Sequence, residues 1–177
     1  MRNKILTVKC SALISILLVS TLSNAQTCNP SVIHSAPDSR YELVVGSGGS
    51  EVLDKQTKLI WQRCSIGKGW NGKICVGTAS TYTWAEALVQ VKAVGNGYRL
   101  PNIKELESLV EEACYSSSIN ETFFPDTGID TNYWSASPIA STPTSVWVLY
   151  FNGGNTYGFG KEQKGEKNYI RVVRSSQ

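Results

Sequence analysis

The chain predicts an α+β fold in which two helices pack on a curved antiparallel sheet, with long irregular loops between them. Thr83-Trp84-Ala85-Glu86 and Asn102-Ile103-Lys104-Glu105 each place a capping residue three positions before a glutamate, the pattern that opens a helix. Val146-Trp147-Val148-Leu149-Tyr150-Phe151 is apolar at both alternating sets of positions, as expected of a strand at the centre of a sheet. No internal repeat or low-complexity tract interrupts these elements.

Taken in order, residues 1–25 read as a cleaved signal peptide. Arg2, Lys4 and Lys9 precede an apolar run from Ala12 to Val19, and Ser23-Asn24-Ala25 offers the small residues of a cleavage site. The run is too short to predict a membrane span, and the chain is expected to be exported to the periplasm or beyond the cell. Residues 26–50 carry Pro30, Pro37 and Gly46-Ser47-Gly48-Gly49 around one short apolar patch at Tyr41 to Val45, which predicts a loose lead-in with at most one strand. Residues 51–175 form the expected domain. Glu51 to Leu53 and Leu59 to Arg63 flank Asp54-Lys55-Gln56-Thr57-Lys58, a hairpin signal.

The first helix carries Ala87, Leu88, Val91 and Val94 as an apolar stripe and stops at Gly95 and Gly97. In the second, Ile103, Leu106, Leu109, Val110 and Ala113 recur at helical spacing, with Glu105, Glu107, Glu111 and Glu112 on the wet face. An irregular stretch from Ser116 to Asp130 holds Phe123-Phe124-Pro125, aromatics expected to pack it. Beyond Tyr133-Trp134-Ser135 come the strand 146–151, Asn152-Gly153-Gly154 as a hairpin turn, a strand from Asn155 to Lys161, a charged loop and Tyr169 to Val173.

Composition narrows the function. The sequence has 17 Lys and Arg against 14 Asp and Glu, and three of the basic residues lie in the first 25, so the remainder carries 14 of each. A neutral chain gives no compositional support for nucleic-acid binding. Cys10 leaves with the signal, and Cys28, Cys64, Cys75 and Cys114 remain as two disulfides in an oxidising compartment. Cys64 and Cys75 bracket a glycine-rich excursion that a bridge would close easily, which leaves Cys28 for Cys114, although three pairings are open on sequence alone. Metal ligation is not expected, because no Cys-x2-Cys spacing occurs and His34 is the single histidine. That scarcity also removes a Ser-His pair, and Glu111 and Glu112, as helix neighbours, point apart and read as solvated. No catalytic residue and no cofactor are expected, so the protein reads as a non-enzyme.

These residues resemble the Lcl C-terminal domain family, whose namesake is the C-terminal domain of a collagen-like bacterial adhesin. The resemblance runs from about Val52 to Arg174. It rests on Val52-Leu53-Asp54 with Thr57 and Leu59 to Trp61, on Thr83 to Ala87, Tyr98-Arg99-Leu100-Pro101-Asn102 with Glu105-Leu106, Phe124-Pro125, Tyr133 to Ser137 and Tyr169 to Arg174. The family usually has Trp at Tyr98, Gly at Lys58 and Cys at Val172. The resemblance implies a C-type-lectin-like fold, related to that of the formylglycine-generating enzymes, and an adhesin-like binding of sulfated carbohydrate. The late reactive cysteine pair of those enzymes has no counterpart after Cys114. Glu121, Asp126 and Asp130 lie where lectins hold calcium, but the Glu-Pro-Asn and Trp-Asn-Asp signatures are missing, and the three read as solvated acids.

A ligand site is expected on the terminal hairpin, where Trp147, Tyr150, Tyr157 and Phe159 stand beside Lys161, Lys164 and Lys167. Aromatic faces stack on sugar rings and ammonium groups attract sulfate or carboxylate. The competing expectation places Trp147 in the core with Trp61, Trp84 and Trp134, and leaves the lysines as a solvated loop alternating with Glu162 and Glu166. The expected partner is a glycan or cell-surface polysaccharide. The alternative is a protein-interaction or structural domain of an envelope assembly, with residues 116–140 as its partner surface.

Overall fold

The computed structural model describes residues 26–128, 131–151 and 158–176. The expected signal peptide, the Asn152-Gly153-Gly154 turn, Tyr157 and Asp130 lie outside them.

In chain order the strands and helices are β1 (Thr27–Cys28), β2 (Tyr41–Leu43), β3 (Glu51–Asp54), β4 (Leu59–Gln62), β5 (Lys68–Trp70), β6 (Cys75–Gly77), α1 (Trp84–Val94), α2 (Ile103–Glu107), β7 (Cys114–Tyr115), β8 (Asn132–Ile139), β9 (Thr142–Tyr150), β10 (Gly158–Gln163) and β11 (Val173–Ser175). The α+β class holds. The strands form two main antiparallel sheets, β11-β4-β3-β2 and β10-β9-β8, with β1-β7 and β5-β6 as separate pairs. Residues 169–172 link the two main sheets: Trp134 N–H donates to the Tyr169 carbonyl at 3.0 Å on one side, and Gln62 N–H donates to that of Val172 at 3.3 Å on the other.

β9 is the central strand of its sheet, as its two apolar faces require. Val146 and Val148 join one core cluster with Ala87, Val91, Trp134 and Ile170. Leu149 and Phe151 join the other, with Trp61, Leu106, Tyr133 and Val173. The β3-β4 hairpin also forms as expected, Asp54 pairing with Leu59 across the turn. The buried Asp54 carboxylate organises that turn, accepting from Gln56 N–H at 2.9 Å and Thr57 Oγ1 at 2.7 Å while Arg40 grips it from the lead-in. Lys58, where the related family has glycine, takes φ 60°, the left-handed region that disfavours side chains.

Both helices start at their capping boxes. Leu88 of α1 is more exposed than its place in the stripe suggested, Ala87 and Val91 making the buried face. The second helix is shorter than its spacing implied. From Leu106 the chain tightens into three-residue turns, with Leu109 N–H donating to Leu106 O at 3.0 Å and Val110 N–H to Glu107 O at 2.9 Å. Val110 then bridges to Ile119 and leaves the helical path. Leu109, Val110 and Ala113 still bury, because a three-residue turn presents nearly the same face.

Two acid readings are corrected together with the loose lead-in. Glu111 is only 3% exposed: its Oε1 accepts from Ser35 N–H at 3.1 Å and Ala113 N–H at 3.0 Å, and its Oε2 from Ala36 N–H at 2.9 Å. Asp126 is buried against Arg171 and accepts from Ser65 N–H at 2.8 Å, so it is not a solvated acid. The lead-in is fastened, with Ala36 and Tyr41 inside the core and Asn120 Nδ2 donating to the Ala36 carbonyl at 3.0 Å. Two disulfides complete it: Cys28–Cys114, across the β1-β7 pair, and Cys64–Cys75.

Candidate functional site

Three arginines organise the loops around the core. Arg63 donates to the carbonyls of Phe123 at 3.0 Å, Gly49 at 3.1 Å and Thr122 at 2.7 Å, with its guanidinium 3.8 Å from the centre of the Trp70 ring. Arg171 is fully buried and donates to the carbonyls of Gln62 and Arg63, to Thr127 Oγ1 and to Asp126, between the rings of Phe124 and Tyr133. Arg40 does the same for the lead-in through Asp54. A guanidinium satisfies several carbonyls from one planar group, which suits irregular backbone. Asp126 is thereby committed to a cation and an amide, and the only acids of the supposed calcium set among the described residues are this one and the exposed Glu121.

The Trp134-Ser135 segment sets the position of α2 and of Trp147. Trp134 Nε1 donates to the Tyr82 carbonyl at 2.7 Å, Trp84 Nε1 to that of Ser135 at 3.0 Å, and Ser135 Oγ to that of Trp147 at 2.6 Å. Ala136 N–H reaches the Pro101 carbonyl at 2.7 Å, and Ser137 Oγ accepts from Ile103 N–H at 3.0 Å. Arg99 forms a two-bond fork on Glu105 at 2.7 and 2.6 Å, whose carboxylate also caps Asn102 N–H. Arg99, Pro101, Asn102 and Trp134 are scaffold, and their bonds hold the start of α2 beside β8 and β9.

The result is an open groove of about 420 Å³ lined by Ile103, Lys104, Trp147 and Phe159. Trp147 is half-buried rather than core, as is Trp84, whereas Trp61 and Trp134 are fully buried. Odd-numbered positions of β9 face α2 here, and Trp147 lies beyond the end of the cluster that Leu149 and Phe151 enter. Its ring meets that of Phe159 edge-on, centroids 6.4 Å apart at 83°. Lys161, its cross-strand partner, holds Nζ 5.5 Å from the Trp147 centroid. Lys104 holds Nζ 5.5 Å from that of Phe159, and pairs with Glu107 at 2.8 Å. The groove thus presents two aromatic surfaces flanked by two exposed ammonium groups.

The expected lysines do not all gather there. Lys164 sits with Nζ 4.7 Å from the Trp84 centroid, at the start of α1, and Lys167 lies exposed in the same turn region. Tyr150, at an even position, belongs to the opposite face of β9. Lys104 and Ile103 were missed, since no local pattern tells which strand a helix will lie against.

A second cavity, about 460 Å³, lies between the lead-in and residues 111–122. His34, Glu111 and Cys114 place one donor atom each within 4.8 Å of one another there, but the Cys114 sulfur is bonded to that of Cys28 and is no thiolate ligand. Among the described residues, no helix is long and apolar enough to cross a membrane.

Compared with known proteins, the chain has no match among curated proteins. The family model of the Lcl C-terminal domain matches residues 50–174, which covers the α1 and α2 caps, the buried tryptophans and both walls of the groove. The protein belongs to the Lcl C-terminal domain family.

Proposed function

We propose that the protein is an exported, non-enzymatic recognition module of C-type-lectin-like fold that binds anionic carbohydrate in the groove between α2 and the β9-β10 hairpin. The observation that carries this reading is the Trp147–Phe159 pair with Lys161 and Lys104 over its two rings. A pyranose face covers an aromatic ring, and a sulfate or carboxylate substituent meets an ammonium group at its edge. Each such exposed contact contributes about 1 kcal/mol or less and weakens in salt, so one site binds weakly and gains strength on a multivalent polysaccharide. The two disulfides and the leader-like residues 1–25 support export. The alternative partner surface at 116–140 has less side-chain surface to offer, since Ser117 to Asn120, Phe124 and Tyr133 to Ser135 are buried.

The test is binding to a panel of sulfated, uronate and neutral glycans at low and high salt, with Trp147→Ala and the pair Lys104→Gln and Lys161→Gln. Binding to the anionic members is expected to vanish in the first variant and to drop about fivefold or more, with loss of salt dependence, in the second. Unaltered binding in both variants, or none by the folded protein, rejects the reading.

A further inference from the structure

Independently of the groove, the structure points to a site of thiol–disulfide exchange at Cys28–Cys114. We propose that this bridge is opened by an external dithiol, with His34, held by Glu111, delivering the proton that the departing Cys114 sulfur takes up. Both cysteines are among the residues lining the open 460 Å³ cavity, Cys28 half-buried and Cys114 buried. His34 lines the same cavity, its side chain 48% exposed, with Nδ1 3.2 Å from Glu111 Oε2. One ring nitrogen of His34, one Glu111 carboxylate oxygen and the Cys114 sulfur all lie within 4.8 Å of one another, a span that one water bridges. Burial works against the Glu111 carboxylate, but amides of Ala113, Ala36 and Ser35 and the His34 ring outweigh it and hold its pKa below the ordinary value. An immobile carboxylate fixes the imidazole in place, and Asp38 and Glu121 are the other charged groups lining the cavity.

The step balances as follows. One thiolate of the dithiol attacks the sulfur of Cys28, the less buried residue of the two, and the electron pair of the broken bond leaves on Cys114, which takes a proton from the His34 imidazolium. The second thiol gives its proton to the now neutral imidazole and attacks its own partner sulfur in the mixed disulfide. Cys28 departs as a thiolate and is protonated from solvent. The dithiol becomes a disulfide, losing two electrons and two protons, and the chain gains both as two thiols. This is one stoichiometric event per chain and requires no unfolding, because the lead-in keeps the bonds of Gln26 to the Ser117 and Ile119 carbonyls, of Asn29 to Ala113, and of Arg40 to Asp54.

Cys64–Cys75 supplies an internal control, since the one histidine of the sequence lies at the other bridge. The full chain is treated with dithiothreitol, quenched with iodoacetamide at intervals, and the four cysteine peptides are quantified. Cys28–Cys114 is expected to open about tenfold faster than Cys64–Cys75, and His34→Gln to remove that advantage without changing the Cys64–Cys75 rate. Equal rates in the unaltered protein, or an unchanged ratio in the variant, overturn the proposal; the first comparison needs no variant, and an unchanged Cys64–Cys75 rate shows that the variant is folded.

Discussion

Replacing Arg171 by leucine tests whether a buried cation holds the irregular half of the molecule together. The guanidinium is inaccessible and donates at 3.2 and 2.9 Å to the carbonyls of Gln62 and Arg63, at 2.8 Å to Thr127 and at 3.3 Å to Asp126. Leucine preserves much of the apolar contact with Phe124 and Tyr133 but leaves two carbonyls without those donors and a carboxylate that is 3% exposed without its charge partner. Asp126 retains only Ser65 N–H and Lys68, the latter 4.0 Å away. Removing one partner of a buried pair costs about 3–5 kcal/mol, which in a domain of this size lowers the melting temperature by roughly 10 °C. Thermal unfolding followed by circular dichroism, with disulfides intact, measures it. Adding Asp126→Asn to Arg171→Leu should recover about 1 kcal/mol or more, because a neutral amide needs no counter-charge. A loss below about 1 kcal/mol for the single variant, or no recovery in the double, would refute the argument that charge pairing and carbonyl satisfaction dominate there.

Three further outcomes are expected. Lys58→Gly should stabilise by about 0.5–1 kcal/mol in the same melts, since φ 60° suits glycine, and a neutral or destabilised variant would show that turn strain is relieved elsewhere. Gly67→Ala should destabilise by about 2 kcal/mol or more: φ is +98° and an added Cβ would lie 2.5 Å from the Thr78 carbonyl oxygen; urea unfolding with no shift would contradict this. Asp54 is buried, which raises its pKa, but Arg40, Thr57 and Gln56 outweigh that and lower it, as the amides do for Glu111. Both groups therefore add stability that is complete above the ordinary carboxylate range and is lost as pH falls from about 4.5 through their depressed values. Melting temperature against pH should drop on that limb, less steeply in Glu111→Gln, and identical slopes would count against the bonds assigned to Glu111.

What could be read from the sequence follows the range of the interactions. The helix starts at Thr83 and Asn102, the β3-β4 turn and the central place of β9 depend on residues a few positions apart, and all are found. The end of α2 was not legible, because it is set by Val110 pairing with Ile119 and by Glu111 reaching back 75 residues to Ala36. Nor were the arginine anchors, whose acceptors are backbone carbonyls that any sequence possesses, 59 and 60 positions from Arg63. For the site, the aromatic and basic residues of the terminal hairpin put Trp147, Phe159 and Lys161 among the candidates, but only the docking of α2 added Lys104, and it was packing at α1 that drew Lys164 away to Trp84.

The clasp between Cys28 and Cys114 bears on how the chain carries load. It joins positions 86 apart, so tension applied at the two ends passes from β1 to β7 through the sulfurs and bypasses everything between. The β3-β4 hairpin, both helices and half of the core are enclosed in a loop that pulling cannot lengthen. Opening the bridge would make that loop extensible, adding roughly 300 Å of contour at 3.3–3.6 Å per residue. A tether built on this module would therefore yield only through the part after Cys114 while oxidised, and through the enclosed loop as well after reduction.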